Sequence, residues 1–228
     1  MTNSPASDSQ NQAYPRVLPV GEAAFTVEFG DRVDADLNRS VHALDAALTS
    51  LAPPGLVECI PSYRSLLVIF DIWTTDPDAL KTTLLELAAA HPGAAQREIG
   101  RLLEIPVRYG GEDGPDLTDV ASHCGLSPAE VVTRHSAVTY QVAMLGFAPG
   151  FAYLLGLPRE LATPRVATPR LRVPPGSVGI AGSQTGIYAL ATPGGWRIIG
   201  RTHLTLFDAG LSEPFLLHAG DRIRFVAC

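Results

Sequence analysis

The hydrophobic pattern of this chain of 228 residues changes character at about Tyr109. Before that point, strand-like apolar runs alternate with segments whose apolar residues recur every three or four positions. From Val138 onward, short β-rich runs alternate with Gly and Pro turns, which is typical of a small β-barrel. The pattern therefore predicts an α+β chain. We expect a disordered tail over 1–15, an α/β domain over 16–108 and a β-barrel domain over 109–228.

Within the N-terminal part, the order of predicted elements is β-α-β-β-α-β, which is the ferredoxin-like pattern. Helices are indicated by the apolar spacing between Leu37 and Leu51, and by the cap-and-proline pair Asp76–Pro77. A final strand is predicted within 97–108. Three further runs read as strands: Ala23–Phe29, Leu56–Ile60 and Ser65–Asp71.

Composition excludes several classes of protein. The 17 Lys and Arg against 23 Asp and Glu give a net charge of −6, which argues against a nucleic-acid partner. No apolar run approaches the roughly 18 residues of a membrane span. The N-terminus lacks a secretory signal, and the 3 cysteines form neither a disulfide framework nor a zinc pair. These features predict a cytoplasmic protein without a metal site.

A helix-turn-helix is the one rival pattern. Residues 117–135 place Ala121, Gly125 and Val131 at the spacing of that DNA-binding motif. The second helix, however, offers only Arg134 as a basic group, whereas binding to phosphates needs several cations. A packed helical hairpin is the better interpretation.

Specific motifs begin at about residue 140. They run in the order GFxPGFxYL, TPRxxTPR, VPxGSVGIAGxQTGIY, PGGW and IGRT between Tyr140 and Asp208. In this combination and order the chain resembles the KipI/allophanate-hydrolase-subunit-1 family. The chain departs from the family pattern at Gly21-Glu22, where GD is usual, and at His203, where proline is usual.

The resemblance implies a cyclophilin-like C-terminal barrel and joint action with other subunits. It favours a subunit of an ATP-dependent 5-oxoprolinase, which would act with subunits A and C on the small molecule 5-oxo-L-proline. ATP would serve the complex, and the lack of a Walker loop indicates that this chain does not supply its main site. The alternatives are a urea- or allophanate-linked carboxyltransferase or hydrolase component, and an inhibitor of a sporulation histidine kinase.

Aromatic and basic residues in these motifs are candidates for substrate binding. Phe147 and Tyr153 either line a pocket or pack in a tight turn. Arg165 and Arg170 follow prolines and could clamp a carboxylate, or else form ion pairs on a solvated loop. Arg201 is a comparable candidate within a strand-like run.

The polar segment GSQTGIY supplies three further candidates. Gln184 can both donate and accept hydrogen bonds, which suits a lactam, and Thr185 and Tyr188 follow it. The alternative is a hairpin turn. We expect Arg170 and Gln184 to share one concave face and to act on the substrate together. His135 could act as a general base or could simply complete a helix end.

Overall fold

The computed structural model describes residues 13–90 and 100–228. This part of the chain contains strands and helices in two groups, the first before residue 91 and the second after residue 99. The first group comprises β1 (Arg16–Pro19), β2 (Ala24–Glu28), α1 (Ala35–Leu51), β3 (Leu56–Pro61), β4 (Ser65–Phe70) and α2 (Pro77–Ala90). The second comprises β5 (Leu102–Tyr109), α3 (Leu117–Cys124), α4 (Pro128–Ser136), β6 (Thr139–Leu145), β7 (Ala152–Leu155), a 3₁₀ turn (Arg159–Leu161), β8 (Arg170–Val173), β9 (Ser177–Ala181), β10 (Gln184–Ile187), β11 (Thr192–Gly194), β12 (Arg197–Arg201) and β13 (Arg222–Ala227).

The N-terminal group is an antiparallel sheet with two helices packed on it. Strand order is β1-β2-β4-β3, and the burial of β4 alternates as expected for a sheet with one covered face. Asp34 caps the N-terminus of helix α1, because its carboxylate accepts hydrogen bonds from the N–H groups of Asp36 and Leu37. Fully buried Leu44 of α1 and Leu84 of α2 lie in the core against the sheet. The predicted helices are confirmed.

The C-terminal group forms a closed barrel of seven strands in the order β10-β7-β6-β13-β5-β12-β9. Strand β13 runs parallel to β5, and the other strand pairs are antiparallel. The small sheet of β8 and β11 lies outside the barrel order. The α+β class and the presence of a C-terminal β-barrel, both predicted from the sequence, are confirmed.

The last strand predicted for the N-terminal sheet forms, but the prediction that it belongs to that sheet is wrong. Leu102–Tyr109 is a strand, but it pairs with β13 and β12 in the barrel, and its Ile105 and Val107 side chains are buried in the barrel core. The edge position beside β2 is taken by Arg16–Pro19 instead, so the order is β-β-α-β-β-α. Alternating polarity indicates a strand, yet it does not tell which sheet will cover the apolar face. Residues 97–99 of that prediction, and 1–12 of the predicted tail, lie outside the described residues.

Helices α3 and α4 form the packed hairpin that was expected. Ala121 and Val131 are buried in the barrel core. Ser127 and Glu130 make the reciprocal capping contacts at the start of α4, and Arg134 pairs with Glu160 at 3.2 Å. None of the helices in the described ranges is long and apolar enough to cross a membrane.

Candidate functional site

Two glycines flatten one patch of the outer barrel surface. Gly186 of β10 is opposite Tyr153 of β7 on one side and opposite Gly179 of β9 on the other. A Cβ atom would lie 3.1 Å from Trp196 Cβ at Gly179 and 3.1 Å from Trp196 Cζ3 at Gly186. Because neither strand carries a side chain here, the indole of Trp196 lies directly on the sheet.

Aromatic rings surround this patch. The Phe151 ring is central, with centroid distances of 4.6 Å to Tyr153, 4.9 Å to Tyr188 and 5.5 Å to Trp196, all edge-to-face. Such pairs pack favourably and hold one another in place. Phe151, Tyr188 and Trp196 are buried, so they form a rigid wall.

A cavity of about 330 Å³ opens against this wall. That size is at the small end of the range for ligand pockets. Aromatic and glycine-turn residues dominate the lining, which consists of Phe147, Phe151, Tyr153, Arg165, Pro169, Tyr188, Pro193, Gly194, Gly195 and Trp196. The sequence-predicted residues Phe147, Tyr153, Arg165 and Tyr188 thus meet at one place.

Arg165 is the charged residue among those lining residues. Within the described ranges its guanidinium has no ion pair or hydrogen bond, and it is exposed. Burial raises the pKa of the Tyr153 and Tyr188 phenols, and the nearby Arg165 charge opposes that rise. The cavity therefore offers an available cation beside neutral phenols and an apolar wall, which suits a small carboxylic acid with an apolar ring.

Phe147 lies at the cavity edge in a strained backbone conformation. Its φ angle is +66°, and the N–H of Ala148 donates to the carbonyl of Gly146 at 2.8 Å, which closes a three-residue turn around it. The side chain is 65% exposed, and its ring packs edge-to-face on Phe151 with a distance of 5.6 Å between the ring centroids. A bulky residue in the left-handed region is rare and occurs mainly at functional sites.

Arg170 does not line the cavity. Its guanidinium donates to Asp116 Oδ1 at 2.7 Å, and the other oxygen of Asp116 accepts from the Ile198 N–H at 2.7 Å. This ion pair is the alternative that the sequence left open for Arg170. Gln184 is also outside the lining, so the expected shared concave face for the two residues is not formed around this cavity.

The structure contradicts a catalytic role for His135. The ring is fully buried in the barrel, stacks on Phe225 at 4.7 Å, and has both nitrogens hydrogen-bonded. Because the Thr185 hydroxyl donates to the Gly179 carbonyl, its oxygen accepts from His135 Nε2, and Nδ1 accepts from the Tyr109 hydroxyl at 2.8 Å. Burial lowers the pKa of His135 to about 3, so the imidazole is a neutral structural bridge.

The remaining candidates are divided between different places. Thr185 is fully buried and belongs to the His135 network rather than to a binding surface. Arg201 lines a second cavity of about 300 Å³ and donates to the Pro175 carbonyl at 2.9 Å. Gln184 begins β10 next to Tyr63 of the N-terminal group.

Sequence analysis missed Tyr63. It lies in the turn between β3 and β4, and its ring meets Tyr153 edge-on at a centroid distance of 5.9 Å. The contact joins residues 90 positions apart, and the local sequence PSYRS reads simply as a turn. Among the described residues, no group of three or more His, Cys, Asp or Glu side chains could hold a metal ion.

Comparison with known proteins shows the family. The sequence profile described as carboxyltransferase domain, subdomain C and D, matches residues 15–217. The chain belongs to this family. It is 46% identical to the B-type subunit of 5-oxoprolinase from Escherichia coli O157:H7 over 213 residues, which are 92% of this chain and 95% of that protein. It is 43% identical to the B-type subunit from Bacillus subtilis, with 92% of each chain covered. The resemblance to the KipI/allophanate-hydrolase-subunit-1 family, and to its 5-oxoprolinase members in particular, is thereby confirmed.

A more distant relative is the urea amidolyase of Saccharomyces cerevisiae, which is 23% identical over 94% of this chain but only 13% of its own length. Among solved structures, TTHA0988 superposes with a TM-score of 0.77 at 40% identity over 90% of this chain. The chain spans 39% of the length of TTHA0988. Protein PH0987 from Pyrococcus horikoshii matches at 46% identity with a TM-score of 0.56, over 93% of this chain and 97% of that one.

Proposed function

We propose that this chain is one subunit of an ATP-dependent 5-oxoprolinase, and that its aromatic cavity binds the substrate. The single observation that carries the proposal is the cavity of Phe151, Trp196 and Arg165, which complements a five-membered ring bearing a carboxylate. The names of relatives that match this chain over almost their whole length support the same activity.

In the proposed reaction, the complex opens the lactam ring of 5-oxo-L-proline. Transfer of the γ-phosphoryl group of ATP to the lactam carbonyl oxygen makes the ring carbon a better electrophile. One water then adds to that carbon and the C–N bond breaks, which leaves an acyl phosphate on the opened chain. A second water hydrolyses this acyl phosphate, so that L-glutamate, ADP and phosphate are the products. The role proposed for this chain is to hold the small acid, with Arg165 on its carboxylate.

Three features of the proposal concern the rest of the system. We assign the main ATP site to the complex rather than to this chain, and we propose subunits A and C as its partners in the cytoplasm. The resemblance also supports a cyclophilin-like assignment for the closed barrel. A urea- or allophanate-linked role is the second candidate, since it is favoured by the likeness to urea amidolyase, but that likeness has the lower identity and covers a small part of the relative.

Reconstitution tests the proposal. The purified chain alone should not hydrolyse 5-oxo-L-proline, and ATP-dependent release of glutamate should appear when both partner subunits are added. Urea in place of 5-oxo-L-proline is the control substrate. Turnover by the lone chain would refute the division of labour, and ATP cleavage stimulated by urea alone would favour the second candidate.

A further inference from the structure

The Arg165 side chain lines the aromatic cavity without a contact that fixes its guanidinium. Among the described residues it has neither an ion pair nor a hydrogen bond, and it is exposed. A long side chain of this kind samples many rotamers, and ordering it when a ligand binds costs free energy. Where the guanidinium can reach therefore depends on how firmly the backbone at Arg165 is held.

The backbone on both sides of Arg165 is hydrogen-bonded to one neighbouring segment. The N–H of Val166 donates to the Gly195 carbonyl at 2.9 Å. On the other side, the Pro164 carbonyl accepts from Nε of Arg197 at 3.3 Å. Gly195 lies between β11 and β12, and Arg197 begins β12. Arg165 is thus held between two contacts to the segment that carries the aromatic wall.

This segment is itself anchored by a buried carboxylate. Asp116 lies just before α3 and is 5% exposed. One of its carboxylate oxygens accepts from the N–H of Ile198 and the other from Arg170, each at 2.7 Å. The N–H of Asp116 also donates to the Ile198 carbonyl at 2.9 Å. The start of β12 is therefore a fixed point from which a side chain can hold the Arg165 backbone.

Arg197 joins this fixed point to helix α3 as well. Its Nη1 donates to Oδ2 of Asp119 at 3.0 Å, while its Nε donates to the Pro164 carbonyl. The planar guanidinium can hold both acceptors at once, and the carboxylate fixes its orientation. The Asp119 side chain is 63% exposed, and an ion pair at such a position adds little to stability. The arrangement is better explained by the backbone that it orients than by the stability of the fold.

We propose that Arg197 is a positioning residue, which holds the backbone at Pro164 so that the Arg165 guanidinium faces the carboxylate of the acid bound in the aromatic cavity. The inference rests on the proposed function and deepens it, because it assigns how the substrate-binding cation is oriented. Arg197 does not line the cavity, so it acts through Arg165 rather than on the ligand. Fixing the backbone in advance lowers the cost of ordering Arg165 when the acid binds.

Arg197→Ala in the reconstituted complex tests the proposal. The variant should raise KM for 5-oxo-L-proline by about 2- to 12-fold, which is the cost of ordering one long side chain. The kcat should stay within about twofold of wild type, because the carboxylate is bound equally in the ground state and the transition state. Arg197→Lys should recover only part of the loss, since an ammonium lacks the planar fork.

Two further variants complete the set. Asp119→Asn leaves Arg197 in place but removes the charge that orients it, so KM should rise by a smaller factor. Arg224→Ala is the matched control, since it removes a barrel arginine that pairs with Glu104 at 3.8 Å and lies outside the cavity lining. The control should leave KM unchanged.

A double-mutant cycle with Arg165 separates positioning from a general structural role. If Arg197 acts through Arg165, then Arg197→Ala should have no further effect on kcat/KM in an Arg165→Ala background. Loss of the same factor in both backgrounds would show that Arg197 supports the fold instead, and it would overturn the proposal.

The remaining outcomes also decide the matter. An unchanged KM in an assembled Arg197→Ala complex overturns the inference and leaves the proposed function standing. If the Arg197→Ala chain does not assemble, Asp119→Asn takes its place in the same cycle, and an unchanged KM there overturns the inference. A wild-type complex that does not hydrolyse 5-oxo-L-proline overturns the proposed function and this inference together.

Discussion

The side-chain amide of Asn38, in helix α1, donates a hydrogen bond of 3.2 Å to the backbone carbonyl of Ala143, in barrel strand β6. The same amide nitrogen donates to the Ser62 carbonyl, and its oxygen accepts from Gln141 at 2.9 Å and lies 3.1 Å from His42 Nε2. Asn38 is fully buried, with all four of its hydrogen-bonding positions occupied. It ties the N-terminal group to the barrel and fixes the turn that carries the tyrosine beside the cavity.

Replacing Asn38 with alanine should therefore lower the free energy of unfolding by about 2–4 kcal/mol, because several buried polar groups lose their partner at once. Chemical unfolding in urea measures the effect. Arg39→Ala is the matched control on the same helix, since its ion pair with Asp36 is exposed and should be worth less than about 1 kcal/mol. Equal losses for the two variants would contradict the network described here.

Two buried histidines predict a dependence of stability on pH. Burial lowers the pKa of His42 from 6.5 to about 4 and that of His135 from 6.5 to about 3. Between pH 6.5 and these values the unfolded chain binds protons that the folded chain excludes, so stability falls as the pH is lowered. From pH 7.5 to 5.5 each histidine should account for a loss of about 1.4 kcal/mol.

Urea unfolding at those two pH values checks this expectation. His42→Gln and His135→Gln should each remove about half of the histidine contribution to the pH dependence, whatever their stability at pH 7.5. The same pH dependence in wild type and in both variants would show that acidic residues, rather than the two imidazoles, govern acid sensitivity.

The glycine patch under Trp196 predicts a sharp difference between two glycine substitutions. An alanine at Gly186 would place its Cβ 2.8 Å from the Ala152 carbonyl and 3.1 Å from Trp196, so the indole or the strand must move. We expect Gly186→Ala to destabilise the chain by about 1–3 kcal/mol and to raise KM. At Gly146 the nearest atom is 4.0 Å away, and Gly146→Ala should change stability by less than about 1 kcal/mol. Thermal melts of both chains, followed by kinetics of the assembled complexes, provide the comparison.

Local sequence predicted the helices because their signals are local. The cap-and-proline pair Asp76–Pro77, the capping box of Ser127 and Glu130, and the apolar spacing of α1 all act within one or two turns. The partners of β5 could not be predicted in this way, because Ile105 and Val107 would suit either sheet. Only tertiary pairing with β13 decides between them.

In the candidate site too, local sequence predicted some features, whereas others depend on residues far apart in the chain. The motifs around Phe147, Tyr153 and Tyr188 left open whether these residues line a pocket or pack in turns, and the structure brings the three together around one cavity. The choice between Arg165 and Arg170 could not be made, since both follow a proline and the partner of Arg170 is Asp116, 54 positions away. For His135 the sequence left open a general base or a residue that completes a helix end, and in the structure its ring is fully buried.

The central claim is that Arg165, the cavity cation without an ion pair among the described residues, binds the substrate carboxylate. Arg165→Ala should lower kcat/KM for 5-oxo-L-proline by about 10- to 150-fold, since charge-assisted hydrogen bonds are worth roughly 1.5–3 kcal/mol. Arg165→Lys should recover only part of this, because lysine lacks the planar fork. The exposed Arg159→Ala is the matched control.

Steady-state kinetics of the reconstituted complex, with assembly and melting temperature checked for each variant, is the most direct measurement. The account predicts a folded, assembled Arg165→Ala complex with the stated loss in kcat/KM and a control that behaves like wild type. Near-normal kcat/KM in an assembled Arg165→Ala complex would contradict it.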